Sequence, residues 1–510
     1  MREIPQFHAS TTLRAAACFV AAILLCGGAA ASANGDIGRD GTVRKHVEKD
    51  VEARGRTVSI EAAVSSLTVA AGSGDQVRVT ADLEFWSNVE RLRQQVDEEF
   101  EVEITESTDT ISIAVTLPGL EDRKARKTKV HYEIELAVIV PRSTPLEIEN
   151  KYGEVRVDGV GGPARIVNNS GSIFLEEASG EVELEGRYGG IQVRDVEGDL
   201  RADTSSGNID VQRVSGTARL NVKYGSIDVR DVGSLDAKGN SGGVTAAGIK
   251  GDARISNAYA NVEVAGVEGR LDVTTKSGGI SAREIGRDAE LSASYGPVVV
   301  EGVKGNLTVV ASSGSSRVSD VAGWLNLEGS YADAVVQRVG GAAEISVSSG
   351  GVTATTVGGD LSVRCSYGTV RASDVRGALR VEASSTGVEA KRIGRSVNVE
   401  TSYAGVDISG VGGAVNVRNE SGAVRVRGLS DAALSGEHAV ETSYADIEFV
   451  WPERQGLSYR LESTYGRIDC SFPGTVSERG SRSTLEGSTG SGEASVSLQA
   501  KSGSVRLRSE

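Results

Sequence analysis

Eight tyrosines stand at nearly equal intervals along this chain: Tyr152, Tyr188, Tyr224, Tyr259, Tyr295, Tyr331, Tyr367 and Tyr403, separated by 36, 36, 35, 36, 36, 36 and 36 residues. Halfway between them sits a Ser-Gly: Ser170-Gly171, Ser206-Gly207, Ser241-Gly242, Ser277-Gly278, Ser313-Gly314, Ser349-Gly350 and Ser421-Gly422, with Ser385-Thr386-Gly387 filling the one gap. The unit is 18 residues, doubled into a 36-residue pair of alternating type. Self-similarity on this scale constrains the fold more than any local propensity, because each copy must find the same environment as the next.

Inside the unit the apolar residues recur in register. Three and five residues after the tyrosine come Val155 and Val157, Ile191 and Val193, Ile227 and Val229, Val298 and Val300. That is period two, which belongs to a strand and not a helix. Eight after the tyrosine comes valine each time, from Val160 to Val411, and ten after it a glycine such as Gly162 or Gly305, Ser234 being the exception. A second alternating pair follows, as in Leu271 and Val273. One unit cannot bury its apolar face alone, but stacked on an identical unit each strand gains a parallel partner about 4.8 Å away. The chain is therefore expected to be all-β: a parallel β-helix, or β-solenoid, with 18-residue coils of about three short strands. Crossovers between parallel strands favour the right-handed form. About twenty coils from residue 147 onward would make a rod on the order of 95 Å.

Composition fits this reading. Glycine supplies 64 of 510 residues, and aromatics only 4%, so the core must be narrow, aliphatic and full of turns. The net charge is −15 with no basic block, which argues against nucleic acid and anionic lipid as partners. Residues 1–33 read as a signal peptide: Arg2 and Arg14 precede or open the apolar run Ala15 to Leu25, and Ala31-Ser32-Ala33 fits a cleavage site. Leu24-Leu25 before Cys26 does not suit a lipid anchor, and no later segment is apolar enough to span a bilayer. Beyond the signal peptide remain Cys365 and Cys470, which fall several coils apart and read as packed residues, not a disulfide.

The ends leave the repeat. Residues 34–56 read as a mobile leader, and residues 57–146 as a small β-rich cap, with a hairpin over Thr57 to Val79, a helix over Asn88 to Phe100, and strands at Ile111 to Leu117 and Val130 to Val140 around a charged loop. The regular solenoid runs over 147–428. Residues 429–510 read as irregular coils and a cap, since Tyr444 comes 41 residues after Tyr403 and Tyr465 only 21 after Tyr444. Such caps are expected because an open solenoid end invites edge-to-edge pairing.

The lead-in Val140-Pro141-Arg142, the strand Leu146-Glu147-Ile148, Tyr152-Gly153, the alternating Ser-Gly coils and the closing Lys501-Ser502-Gly503-Ser504-Val505 resemble the bacterial "putative adhesin" β-strand-repeat family of unknown function. The resemblance covers most of residues 57–510. It implies an extracytoplasmic role, adhesive or envelope-associated, and it carries no catalytic residues.

The residues themselves show no reactive constellation. His46, His131 and His438 are far apart in sequence and read as surface or loop residues; no cofactor or metal is expected. Asp195, Asp231 and Asp374 share one column, but not on adjacent coils, and read as a solvated face. The sharpest binding candidate is the tyrosine ladder Tyr188, Tyr224, Tyr259, Tyr295, Tyr331, Tyr367 and Tyr403, whose rings would stand about 9.6 Å apart on alternate coils and could stack on sugars. The competing reading packs each ring over the intervening Ser-Gly corner. The expectation is a non-enzymatic exported protein that binds through its side, with cell-envelope or extracellular polysaccharide, or another surface protein, as partner. A carbohydrate-active β-helix enzyme and a purely structural rod are the alternatives.

Overall fold

The computed structural model describes residues 33–38, 41–117, 128–429, 436–453, 455–490 and 494–509. The expected signal peptide, Ala33 apart, and most of the charged loop at 121–129 lie outside them. Among the described residues no helix is long and apolar enough to cross a membrane.

The body is a β-solenoid of about 16 turns. Each turn holds two strands, not three. A leading strand begins two or three residues after the Tyr or Ser corner, and a trailing strand runs back to the next such corner. The leading strands Glu154–Asp158, Ile173–Ser179 and Ile191–Glu197 pair in parallel, and so do the trailing strands Leu146–Asn150, Ala164–Ser170 and Val182–Tyr188. The same two ladders continue to Val424–Arg427 and Val415–Asn419. Two strands of five to seven residues and two corners use up the 18-residue period, so no room remains for a third strand. Like residues stack on like: Val155 on Ile173, Leu200 on Ala218, Leu271 on Ala289. The column they form is fully buried.

The valine at eight after the corner breaks the alternation, since period two would turn position seven inward. The backbone explains it. The residue at position seven takes the left-handed conformation in sixteen successive turns, from Gly159 (φ +73°) to Gly428 (φ +60°). That kink resets the alternation, and Val160, Val196, Val232 and Val303 point into the core. Six of these sixteen residues are glycine. The other ten are Glu177, Asp195, Arg213, Asp231, Glu284, Asp320, Arg338, Thr356, Asp374 and Arg392. Each non-glycine residue holds a backbone that disfavours a side chain by about 1 kcal/mol.

At the N-terminal end the chain order and the stacking order part company. The elements are β1 (Ala33–Ile37), β2 (Thr42–Glu52), β3 (Thr57–Ala62), β4 (Ser66–Gly72), β5 (Gln76–Ser87), α1 (Glu90–Glu99), β6 (Glu101–Glu106), β7 (Thr110–Thr116), β8 (Val130–Pro141), β9 (Leu146–Asn150) and β10 (Glu154–Asp158). β3 and β4 are not the two arms of a hairpin. They form a coil, with β3 paired in parallel to β9 and β4 to β10. On their other side lie β7 and β8, also parallel, as a second early coil. The first coil in sequence is thus sandwiched between two later ones. β6 then closes β7, and β5 closes β8, both antiparallel.

Residues 34–56 correct the expectation of a mobile leader. β2 pairs with β5 along eleven residues, and β1 pairs with β2. Val43 and Val47 of β2 are buried, and Arg56 is held by Glu106 and by the carbonyls of Glu52, Ala53 and Ser107. The charged residues that suggested a leader are the solvent side of an amphipathic strand. The helix stands where its spacing places it, with Val96 and Phe100 buried.

The C-terminal end repeats the device. The coil Glu437–Thr442 with Ile447–Trp451 follows the regular stack. Next to it in space comes Ala494–Ala500 with Val505–Ser509, and only then Leu457–Ser463 with Ile468–Cys470. The later coil is intercalated between two earlier ones. The Ser/Gly/Thr-rich stretch forms the antiparallel hairpin Thr475–Arg479 and Arg482–Thr489, which covers Leu457–Ser463.

Candidate functional site

The candidate tyrosines Tyr188, Tyr224, Tyr259, Tyr295, Tyr331, Tyr367 and Tyr403 all lie on one corner, where a trailing strand passes into a leading strand. Tyr152 precedes them on the same corner, and Tyr444 and Tyr465 follow. The ten rings are 55% to 73% exposed. Their hydroxyls have no protein hydrogen-bond partner among the described residues.

In register the column alternates as the spacing predicts: Ser170 beside Tyr188, Tyr188 beside Ser206, Ser206 beside Tyr224, Ser349 beside Tyr367, Tyr367 beside Ser385. The irregular C-terminal spacing is irregular only along the chain. Ser502 donates its N–H to Ser443 O (2.8 Å), beside Tyr444, and Tyr465 donates its N–H to Lys501 O (3.0 Å). The intercalated Ser502 coil therefore falls between the Tyr444 and Tyr465 coils, and the alternation survives in space.

The corner is tight. A Cβ at Gly171, where φ is +125°, would lie 1.9 Å from Gly153 O on the preceding turn. Beneath it, buried polar side chains hold the corner carbonyls. Asn168 donates to Gly153 O (2.8 Å), Asn257 to Gly242 O (3.0 Å) and Ala260 O (2.8 Å), and Asn419 to Ala404 O (2.9 Å) and Gly422 O (2.8 Å). This satisfies acceptors that the turn would otherwise strand. Cys365 occupies the same row and donates its thiol to Gly350 O (3.3 Å); burial pushes that thiol up. Cys365 and Cys470 are both free.

The flank of the ladder changes along the rod. At its N-terminal end the residue before each tyrosine is cationic: Lys151, Arg187 and Lys223, with Arg187 over the Tyr188 ring and Lys223 over the Tyr224 ring, each 5.6 Å away. From Tyr295 to Tyr444 that residue is serine.

The column read as a solvated carboxylate face, Asp195, Asp231 and Asp374, is the left-handed column, and arginines on the next turn pair with Asp195 and Asp374 and with Asp320 of the same column, whereas Asp231 is followed there by Gly248. Asp195 accepts both arms of the Arg213 fork (2.5 and 2.7 Å), Asp320 those of Arg338 and Asp374 those of Arg392. The guanidinium hydrogen bonds hold all three carboxyls below the usual carboxylate range. One carboxyl moves the other way: burial, then Glu176 and Glu177, lift Asp158. No group of histidine, cysteine or carboxylate side chains that could hold a metal occurs among the described residues.

Two residues stand apart from their sequence reading. His438 is not at the surface: it is 1% exposed, its Nδ1 accepts the Val415 N–H (3.2 Å), and its ring meets Phe449 and Trp451 edge-on at 5.7 Å. The C-terminal coils carry larger aromatics than the repeat, and a polar ring fills the remaining space. His46 lies on β2 beside Asp82 (2.6 Å). The second residue is Trp324, which sequence reasoning passed over. It is 46% exposed at a corner where neighbouring turns carry Asp288, Asn306, Ala342 and Asp360. A bulky aromatic in a column of small polar residues was the available signal.

No curated protein matches the chain. Among solved structures, a putative cell adhesion protein from Clostridium sporogenes ATCC 15579 is 8% identical, with 92% of this chain and 100% of that chain covered and a TM-score of 0.15. A putative adhesin from Bacteroides fragilis NCTC 9343 is 13% identical, with 56% of this chain and 96% of that chain covered and a TM-score of 0.18. Neither overlay bears on the fold, which rests on the strand register above. The family model described as Toastrack DUF4097 matches twice, over residues 44–323 and 288–508, and the chain belongs to that family.

Proposed function

We propose that this protein is an exported, non-enzymatic adhesin-like rod that binds cell-envelope or extracellular polysaccharide through its side, with the tyrosine corner as the contact stripe. The observation that carries the reading is the exposure of ten rings in one column, kept in alternation even where the chain order is rearranged. Rings that served packing alone would be covered. Aromatic faces left to water in a regular row mark a contact surface. The spacing of about 9.6 Å, two strand separations, suits a polymer with a repeating unit of disaccharide length.

Co-sedimentation of the full chain with purified cell-wall and polysaccharide fractions tests this, beside a variant with Tyr224, Tyr259, Tyr295 and Tyr331 changed to serine. The parent is expected to sediment and the folded variant to remain in solution. If the folded variant sediments as well as the parent, the stripe is not the contact surface. If neither sediments, the rod is structural or binds a protein partner.

A further inference from the structure

We infer that a groove across the outer face of the trailing strands, from Trp324 toward the Tyr331 corner, binds an uncharged oligosaccharide. This deepens the lateral-surface reading by naming a discrete site and ligand class, on a strand face and not on the tyrosine corner.

Two hollows adjoin there. One, of about 390 Å³, is lined by Ser312, Glu328, Gly329 and Ser346 among others. The other, of about 630 Å³, runs past Trp324, Ser362, Arg380 and Asn398. They share Asn326 and Glu344, so together they form one shallow channel within the size range of small-ligand sites. The channel lies where short and long outward side chains alternate from turn to turn, Asn326 and Ser362 with Glu344 in one column, Val310 and Ser346 with Glu328 and Arg364 in the other. Val310, Ser346 and Ser362 leave the floor low.

The chemistry of the walls selects the ligand. Glu344, Arg364, Glu382 and Arg380 form a chain of ion pairs at 2.6, 3.4 and 2.5 Å. Their charges cancel among themselves, and Glu328 and Asp360 add two carboxylates, so the walls are net negative and disfavour an anion. They still offer carboxylate acceptors and guanidinium donors, joined by the amides of Asn326 and Asn398 and the hydroxyls of Ser346 and Ser362. Dense donors and acceptors beside an exposed indole, on walls that repel an anion, suit a neutral sugar, whose edge hydrogen-bonds and whose face stacks. The corner that carries the indole is firmly placed, because Asn306 Oδ1 accepts the Trp324 backbone N–H (3.1 Å) and Asp288 Oδ1 the backbone N–H of Asn306 (2.8 Å). Trp324 and Tyr331 are seven residues apart, about 23 Å of extended strand, which calls for several sugar rings in a row.

The test titrates the full chain with cellohexaose, xylohexaose and chitohexaose, and separately with polygalacturonate, by calorimetry and by tryptophan fluorescence. Of the three tryptophans Trp451 is buried, Trp86 half-buried on β5 and Trp324 exposed, so the part of the emission change that disappears in Trp324→Ala reports on the groove. At least one neutral hexaose is expected to bind saturably with a change in emission. Trp324→Ala and the groove-filling Ser362→Arg should each weaken that binding tenfold or more, while the Tyr224, Tyr259 and Tyr295 to serine variant keeps it. Binding unchanged in Trp324→Ala and Ser362→Arg, no binding of any neutral hexaose, or binding of polygalacturonate alone would each overturn the proposal. Loss of binding only in the tyrosine variant would support the corner stripe and remove the groove.

Discussion

The middle of the rod and its two ends are built from the same strand pairs but obey different rules of order. Between Leu146 and Arg427 each turn packs on the turn just before it in sequence. At each end a coil is trapped between two others that do not adjoin it in the chain: β3–β4 between β7–β8 and β9–β10, and residues 494–509 between 437–451 and 457–470. The middle is therefore a nearest-neighbour chain, in which each turn depends on two interfaces. The ends are latched. Removing the trapped coil strips a face from both of its neighbours at once.

Deletion of residues 494–509 should have the largest effect. It exposes Ile447–Trp451 and Leu457–Ser463 together, and limited proteolysis should cut throughout 436–490. Excision of residues 260–295, a full pair of turns, should instead leave a folded rod shorter by about 9.6 Å, measurable by small-angle scattering. Equal proteolytic resistance in both deletions would break the distinction.

A single truncation in each region sharpens it. Leu498→Ala in the trapped coil and Leu291→Ala in the middle both empty fully buried sites and should each cost about 2–5 kcal/mol. Hydrogen exchange should show the first loss confined to residues 436–509 and the second spread over adjoining turns.

The left-handed column offers a stabilising change. Thr356 carries a branched side chain at φ +60°, so Thr356→Gly should stabilise by about 1 kcal/mol in denaturant titration. Asp320→Gly at the same position of another turn should gain less, because it surrenders the Arg338 pair.

The smallest effect is on acid stability. Asp195, Asp320 and Asp374 have carboxyls depressed by arginine in the folded state. Their contribution is complete above the ordinary aspartate value and is lost as pH falls through the depressed one. The pairs are well exposed and screened, so the loss should be slight. Replacing Arg213, Arg338 and Arg392 with glutamine should flatten that part of the pH–stability curve.

The regular stack was legible because every turn states the same pattern, and the Tyr/Ser column could be placed to the residue. The number of strands per turn was less so: eighteen residues accommodate two strands or three, and the choice depends on where the chain bends. The left-handed residue at position seven left a trace in the misplaced valines, although it has no residue type of its own, being Gly, Asp, Glu, Arg or Thr. The ends were hidden for a different reason. β3 and β4 carry the alternation of any strand, and nothing local says that their partners in β9 and β10 lie 88 residues away. Trp324 shows the same limit in the candidate site, since a groove is made by several turns at once and no single turn announces it.

The trapped coils also set a timetable for a chain made from its N-terminus. β3 and β4 emerge early but have no neighbour until β7 to β10 follow, so nucleation at that end must wait. Once β9 and β10 are in place, each new turn has a finished template and the rod can zip forward as it lengthens. The far end then waits in its turn. Residues 457–470 have their place but no floor until 494–509 slide beneath them, so the cap can close only after the chain has passed beyond its own last turn. A chain interrupted before that point would carry a finished shaft with an unpaired, adhesive end, easily told from the completed rod.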